Sequence, residues 1–168
     1  LKILITTDWY EPVVNGVVTS VLNLVKELRR MGHQVLILTL SGDVHSRYAD
    51  GVYYLGSINA GKIYPNARAT MYIGKEYIQE IINWHPDIIH SQCEFSSFQY
   101  ARRIARRLGI PIVHTYHTLY ESYTHYFCPN QRMGRQIVSN LSRHFLSQVQ
   151  CVIAPSEKIK HVLEGYSI

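Results

Sequence analysis

The sequence predicts an α/β fold, a Rossmann-like parallel sheet with helices on both faces. Three observations carry that expectation. Short apolar runs rich in β-branched residues alternate with amphipathic stretches along the whole chain. The runs have no polar alternation, which suits strands buried on both faces. The stretches between them repeat their apolar residues at helical spacing, so each connection is a helical crossover between parallel strands.

Taken in order, residues 2–7 (KILITT) form the first strand. Residues 19–31 place Val21, Leu22, Leu24, Val25 and Leu28 on one face and Lys26, Glu27, Arg29 and Arg30 on the other, with Gly32 set to follow a helix end. Residues 34–40 (QVLILTL) are the second strand and 52–55 a weaker third. Residues 69–84 read as a helix that stops before Pro86. Then follow strand 87–90, helix 95–108, the Gly109-Ile110-Pro111 turn and strand 112–116. A polar and aromatic stretch, 117–129, precedes helix 132–149, strand 151–154 and a short helix begun by Ser156. No internal repeat, low-complexity segment or linker divides the 168 residues, which are expected to make one domain.

The chain is long enough to bury a real core, and its 46% hydrophobic and 17% charged residues are globular in balance. Its formal net charge of +5 favours anionic partners without choosing among nucleic acid, nucleotide phosphate and acidic lipid. No RNP, helix-turn-helix or zinc pattern accompanies that excess, which argues against nucleic acid. Three cysteines, Cys93, Cys128 and Cys151, form no CxxC pair and leave one odd thiol, so a secreted disulfide framework is not expected. Cys151, in QCVIAPS, reads as a small buried hydrophobe. The N-terminal residues lack a leader pattern, and no apolar run approaches the roughly 20 residues that span a bilayer. The expected location is cytoplasmic, peripheral on the inner face of the cell membrane. A chain that starts at Leu1 and stops at EGYSI is expected to be a fragment.

Ligands of an open parallel sheet bind beyond the carboxyl ends of its strands. That rule selects residues 8–18, 41–43, 91–95, 117–129 and 155–157. In DWYEPVVNGVVTS, Asn15-Gly16 admits unusual backbone angles just before a helix N-terminus, and a phosphate can approach Gly16 there. The alternative is an ordinary turn with Thr19 as the cap. GxGxxG and GxxxxGK[ST] are both missing, which weakens dinucleotide and Walker-type readings.

In HTYHTLYESYTHYF, strand alternation sets His114 and Tyr116 on one side and Thr115 on the other. His114 lies mid-strand and reads as a core histidine. His117 lies at the strand exit, where a histidine can bond a sugar hydroxyl or, partly cationic, stabilise a developing phosphate charge. A metal role for His114, His117 and His125 matches no common ligand spacing, so no metal is expected. Tyr116, Tyr120, Tyr123 and Tyr126 either stack on a sugar, line a lipid groove or pack. The run ARRIARRLG sets Arg102, Arg103, Arg106 and Arg107 on the outer face of a helix. That face is either solvated or turned toward anionic lipid headgroups.

At these same residues the chain resembles the N-terminal domain of the retaining GT-B glycosyltransferases of family four. The resemblance covers essentially the whole length, through KILITTDWYEPVVNGVVTSV, ELRRMGHQVLILT, PDIIHSQCEF, IPIVHTYHTLYESYTHYF and VIAPSEKIK. HTYHTLYESYTHYF is the more specific segment, similar to bacterial enzymes that move glucose from UDP-glucose to diacylglycerol. The resemblance implies that residues 1–168 are the acceptor-side half of a GT-B fold and that a C-terminal, donor-binding domain is missing. It implies a UDP-sugar donor for the full-length enzyme, UDP-glucose by the segment above, with no cofactor in this part. The implied partners are that missing domain, a lipid acceptor and an anionic membrane surface, with no nucleic acid.

Residue by residue, the resemblance places Asn15 and Gly16 at the donor diphosphate and His117 at the transferred sugar. Trp9, Thr118 and, by a looser match, Arg68 would contact the acceptor, with Tyr116 and Tyr120 joining them as aromatic acceptor contacts. Apart from the resemblance, the headgroup alternative would set Arg102, Arg103, Arg106 and Arg107 on the membrane surface. Front-face transfer with retention, assisted by the leaving diphosphate, is likewise what the family implies. Open alternatives are a family-four enzyme with another acceptor, a nonenzymatic Rossmann-like module with a basic face, and a nucleotide-dependent dehydrogenase, the last disfavoured by the absent glycine fingerprint.

Overall fold

The computed structural model describes residues 1–60, 68–70, 74–117 and 130–168. Its main sheet has seven strands in the order β3-β4-β2-β1-β7-β8-β9. These are β1 (Lys2–Thr6), β2 (Gln34–Leu40), β3 (Arg47–Ala49), β4 (Val52–Leu55), β7 (Ile88–Ser91), β8 (Ile112–Thr115) and β9 (Cys151–Ile153). A separate short pair joins β5 (Ile58–Asn59) to β6 (Arg68–Ala69). The helices are α1 (Gly16–Arg30), α2 (Lys75–Trp84), α3 (Ser96–Leu108), α4 (Gln131–Leu146) and α5 (Glu157–Gly165). The α/β class and the mostly parallel sheet are as the sequence predicts.

Strand β1 is central, and the alternation of its side chains divides the core in two. Ile3 and Ile5 pack with Val21 and Val25 of α1 and with Val35, Ile37 and Val52. Leu4 points to the other face, with Leu38, Ile81 of α2 and Phe98 and Ile104 of α3. Burial on both faces is why KILIT shows no polar alternation. A third cluster joins Tyr116 to Val138 and Leu146 of α4 and Ile159 and Leu163 of α5.

Several expectations change in detail. Helix α1 begins at Gly16, three residues earlier than the apolar spacing suggests, because Asn15 caps it. Ala69, expected as the start of the helix, is strand instead, and α2 begins at Lys75. Gly74 sets the entry to α2 with φ 87°, where a Cβ would lie 2.8 Å from Leu55. Strand β3 pairs antiparallel with β4 through Asp50-Gly51, both left-handed at φ 50° and 82°. An Asp-Gly pair between apolar residues is a hairpin signal, and here it adds an edge strand that the alternating pattern does not reveal. Helix α4 ends at Leu146 rather than 149. Cys151 is exposed, not buried, because β9 is the sheet edge.

Candidate active site

The chain runs outward from β1 to β2 and β4, then returns to the other side of β1 for β7, β8 and β9. The order therefore reverses between β1 and β7, and the crevice lies over their carboxyl ends. Buried or half-buried polar residues, among them Asp8, Gln92, Glu94 and His117, meet there from three strand tips.

From the β1 tip, Asp8 is 4% exposed, and its Oδ1 accepts the Ser97 backbone N–H at 2.7 Å. Burial pushes its carboxyl up to about 6, against the downward pull of the Ser97 bonds and with help from the charge of Glu94. Thr7 Oγ1 donates to the Trp9 carbonyl at 2.9 Å, which fixes the start of the loop carrying half-buried Trp9. Cys93, buried beside Thr7, has its thiol raised well above the ordinary range by burial, so it is no thiolate nucleophile.

Where that loop enters α1, Asn15 Oδ1 accepts the Val18 N–H at 2.9 Å, and Thr19 Oγ1 donates to the Asn15 carbonyl at 3.1 Å. Asn15, not Thr19, is the cap, so its side chain is committed to the helix. Gly16 is exposed, and a Cβ there would meet nothing within 4 Å. Its φ lies outside the left-handed region, so openness rather than backbone freedom distinguishes the position. The N–H groups of Gly16 and Val17 precede the first intrahelical bonds, and the open surroundings of Gly16 leave room for an anion to approach that helix start.

The β7 and β8 tips carry the histidines. His117 is half-buried, and its Nε2 lies 2.7 Å from Gln92 Oε1. Burial lowers its pKa below the ordinary 6.5, with Glu94 pulling upward and His114 downward. Burial therefore favours the neutral ring of His117, the form that bonds a sugar hydroxyl, over its cationic form. His114 is fully buried, with Nε2 3.2 Å from Glu94 Oε1 and its ring edge-on to Phe98. It is a core histidine, but its Nδ1 has no partner among the described residues. His90 Nε2 lies 2.8 Å from Thr115 Oγ1, and burial, then the charges of His114 and His117, push its pKa down to about 4.

Other expected site residues sit elsewhere. Tyr116 is 1% exposed, with its hydroxyl 3.0 Å from Ser142 Oγ of α4. It belongs to the third core cluster and is closed to an acceptor, which corrects its assignment as a contact. Arg68 does reach the carboxyl edge, where Nε donates to Ser57 Oγ at 2.6 Å and Nη2 to the Ser57 carbonyl at 3.0 Å. Ser57 Oγ in turn donates to the Ser41 carbonyl at the end of β2, so this guanidinium braces the edge. Thr118 and Tyr120, with Tyr123, His125 and Tyr126, lie outside the described residues.

Arg102, Arg103, Arg106 and Arg107 occupy the second half of α3, away from its crevice end. Arg103, Arg106 and Arg107 are exposed, whereas Arg102 is half-buried and donates to Gln99 Oε1 at 3.2 Å. Arg102 and Arg106 line a groove of about 490 Å³ with Pro111, Gln148 and Gln150, at the amino ends of β8 and β9. The four arginines are therefore at the opposite end of the sheet from His117.

Asp8, Gln92 and Glu94 escaped the sequence reading, although all lie in segments that the strand-tip rule selects. The signal available for each was a polar side chain within three residues of the end of an apolar strand.

The sequence pattern of Glycosyltransferase Family 4 matches residues 14–168. The chain belongs to glycosyltransferase family 4. Among its relatives is the alpha-monoglucosyldiacylglycerol synthase of Streptococcus pneumoniae (strain ATCC BAA-255 / R6), 36% identical over 175 aligned positions, with 100% of this chain and 38% of that protein covered. The protein of the same name from Acholeplasma laidlawii is 29% identical over 168 positions, covering 95% and 42%. The family 4 chain spans about two fifths of the length of these relatives. Among solved structures, the UDP-GlcNAc 2-epimerase from Methanocaldococcus jannaschii aligns with a TM-score of 0.51 at 14% identity, covering 99% of this chain and 42% of that one. That likeness speaks for the Rossmann-like fold alone.

Proposed function

We propose that this chain is the acceptor-side domain of a retaining glycosyltransferase that moves a hexose from a nucleotide sugar to a membrane lipid, with UDP-glucose as donor and diacylglycerol as acceptor. The observation that carries the reading is the crevice itself. It sets His117 on a β8 exit and the open N-terminus of α1 at the β1 exit, over the strand ends where the sheet order reverses. Similarity along 100% and 95% of this chain to two alpha-monoglucosyldiacylglycerol synthases supports the substrate classes.

In this reading the Gly16 and Val17 N–H groups and the positive end of α1 receive the donor diphosphate, while a second domain holds the nucleotide. Neutral His117 touches the transferred sugar. Trp9 borders the acceptor, and Arg68 sets the far edge of that wall. The leaving diphosphate, stabilised by α1, takes the proton of the attacking lipid hydroxyl on the same face.

No helix among the described residues is long and apolar enough to cross a membrane. Peripheral attachment at the cytoplasmic face is the corresponding proposal. It is supported by Arg103, Arg106 and Arg107 on α3 and by α4, which exposes Met133, Ile137 and Leu141 beside Arg132, Arg135 and Arg143 and bears no acidic residue.

The test is hexosyl transfer by the full-length enzyme from UDP-glucose, UDP-galactose and GDP-mannose to diacylglycerol in mixed vesicles. Glucosyl-diacylglycerol formed from UDP-glucose in preference to the others is expected. The same assay with residues 1–168 alone should yield no product. Turnover by that piece would remove the two-domain reading, and product from GDP-mannose alone would replace the donor.

A further inference from the structure

We propose that Gln92 is a positioning residue that holds His117 in its Nε2–H tautomer and leaves Nδ1 as a bare acceptor for a substrate hydroxyl. The proposal rests on the reading of His117 as the sugar-facing residue and specifies the chemistry that it offers there.

The carboxamide of Gln92 is well placed to impose a tautomer. The residue is 2% exposed and follows directly on β7, and its backbone N–H donates to the Thr6 carbonyl at 2.8 Å. It is thereby tied to the end of the central strand. Its side-chain oxygen lies 2.7 Å from His117 Nε2. A carboxamide oxygen only accepts, so the proton of that bond belongs to the imidazole nitrogen. The Nε2 of Gln92 is buried with no partner among the described residues, so the contact with His117 is the bond on which this buried side chain relies. In a neutral imidazole only one nitrogen carries hydrogen, and fixing it on Nε2 strips Nδ1.

The surroundings keep the ring neutral. Burial lowers the His117 pKa, the charge of Glu94 opposes this, and His114 reinforces it, while His90 lies in the same electrostatic cluster. A neutral Nε2–H histidine accepts at Nδ1 and donates nothing further into the crevice. The site thus recognises a sugar hydroxyl as a donor and leaves phosphate charge to the α1 terminus. Loss of Gln92 frees the ring to populate both tautomers, and only one of them can accept in that geometry.

Nitrogen NMR of the histidine-labelled full-length enzyme tests this, with His117 assigned by its disappearance in His117→Gln. In the wild type at pH 7.5 (about one unit above the ordinary histidine range) Nε2 should appear protonated and Nδ1 unprotonated. Gln92→Ala should show both tautomers and lower kcat by roughly 10–100-fold, the range for loss of a group that orients a functional histidine. Gln92→Glu keeps an acceptor at the same reach. It should retain the single tautomer and move the acid limb of the kcat profile to higher pH, because a carboxylate favours the imidazolium. A protonated Nδ1 in the wild type overturns the proposal, as does an unchanged Nε2–H tautomer in Gln92→Ala. The wild-type spectrum decides even if that variant fails to fold. If the tautomer behaves as expected but His117→Gln turns over normally, the sugar-facing role of His117 is what fails, and the proposal falls with it as a statement about substrate.

Discussion

Asp8 Oδ1 accepts the backbone N–H of Ser97 at 2.7 Å, and this bond fastens the tip of β1 to the first turn of α3. The helix begins at Ser96, so Asp8 supplies from a distant strand the acceptor that a local cap residue usually provides. The same arrangement buries a carboxylate at the centre of the candidate site.

That burial has a measurable sign. The native state holds the Asp8 proton more tightly than the unfolded chain, with a pKa raised from 3.8 to about 6. Stability from this group therefore falls as pH rises from about 4 to about 6 and stays lost above, by roughly 3 kcal/mol. Asp8→Asn keeps an oxygen acceptor for Ser97 and removes the charge. Its stability relative to wild type should rise between pH 4 and pH 6 and then level off, as followed by urea denaturation. A difference that does not vary with pH would show that the carboxylate is not desolvated in solution.

His90 acts in the opposite sense. Burial lowers its pKa to about 4, so the unfolded chain takes up its proton first as pH falls. The stability it contributes is complete above about 6.5 and is lost progressively toward about 4, again roughly 3 kcal/mol. His90→Gln should soften acid unfolding, whereas Asp8→Asn should steepen it. Identical acid midpoints for the two variants would contradict both assignments.

Substitution of the two β8 histidines should separate chemistry from packing. In the full-length enzyme, His117→Ala should lower kcat by about 10²–10³-fold with a smaller change in KM, the pattern for a contact made chiefly in the transition state. His114→Ala removes a fully buried ring and its bond to Glu94, and should appear as lost stability of about 1–3 kcal/mol or more. Melting temperature measured beside kinetics distinguishes them. A well-folded but inactive His114→Ala, with near-normal His117→Ala, would reverse the roles.

Membrane attachment should be electrostatic in part. Vesicles containing anionic lipid should bind the protein, and added salt should weaken that binding. Reversal of Arg103 and Arg107 to Glu should reduce binding several-fold, as read by vesicle sedimentation. If it leaves binding unchanged while Leu141→Glu on α4 abolishes it, the membrane-facing surface is α4 rather than α3.

What the sequence determined by itself was the layer plan. Apolar runs without alternation have to be buried on both faces, and helical spacing between them supplies the covering layers, so KILIT and QVLILTL identify a parallel sheet from local chemistry alone. Strand tips then followed, and with them Asn15, Gly16 and His117, since the carboxyl-edge rule needs only strand direction. Tertiary structure decided which side chains at those tips face one another. Periodicity carries no information about the lateral order of strands, so nothing local showed that β7 lies beside β1 and brings Gln92 and Glu94 next to Asp8. The same limit explains Tyr116, where α4 covers the ring, and Cys151, where among the described residues no further strand covers the edge. Burial is a property of what packs against a residue, and pKa follows burial, so the downward pull on the His117 pKa emerges only once its neighbours across the sheet are in place.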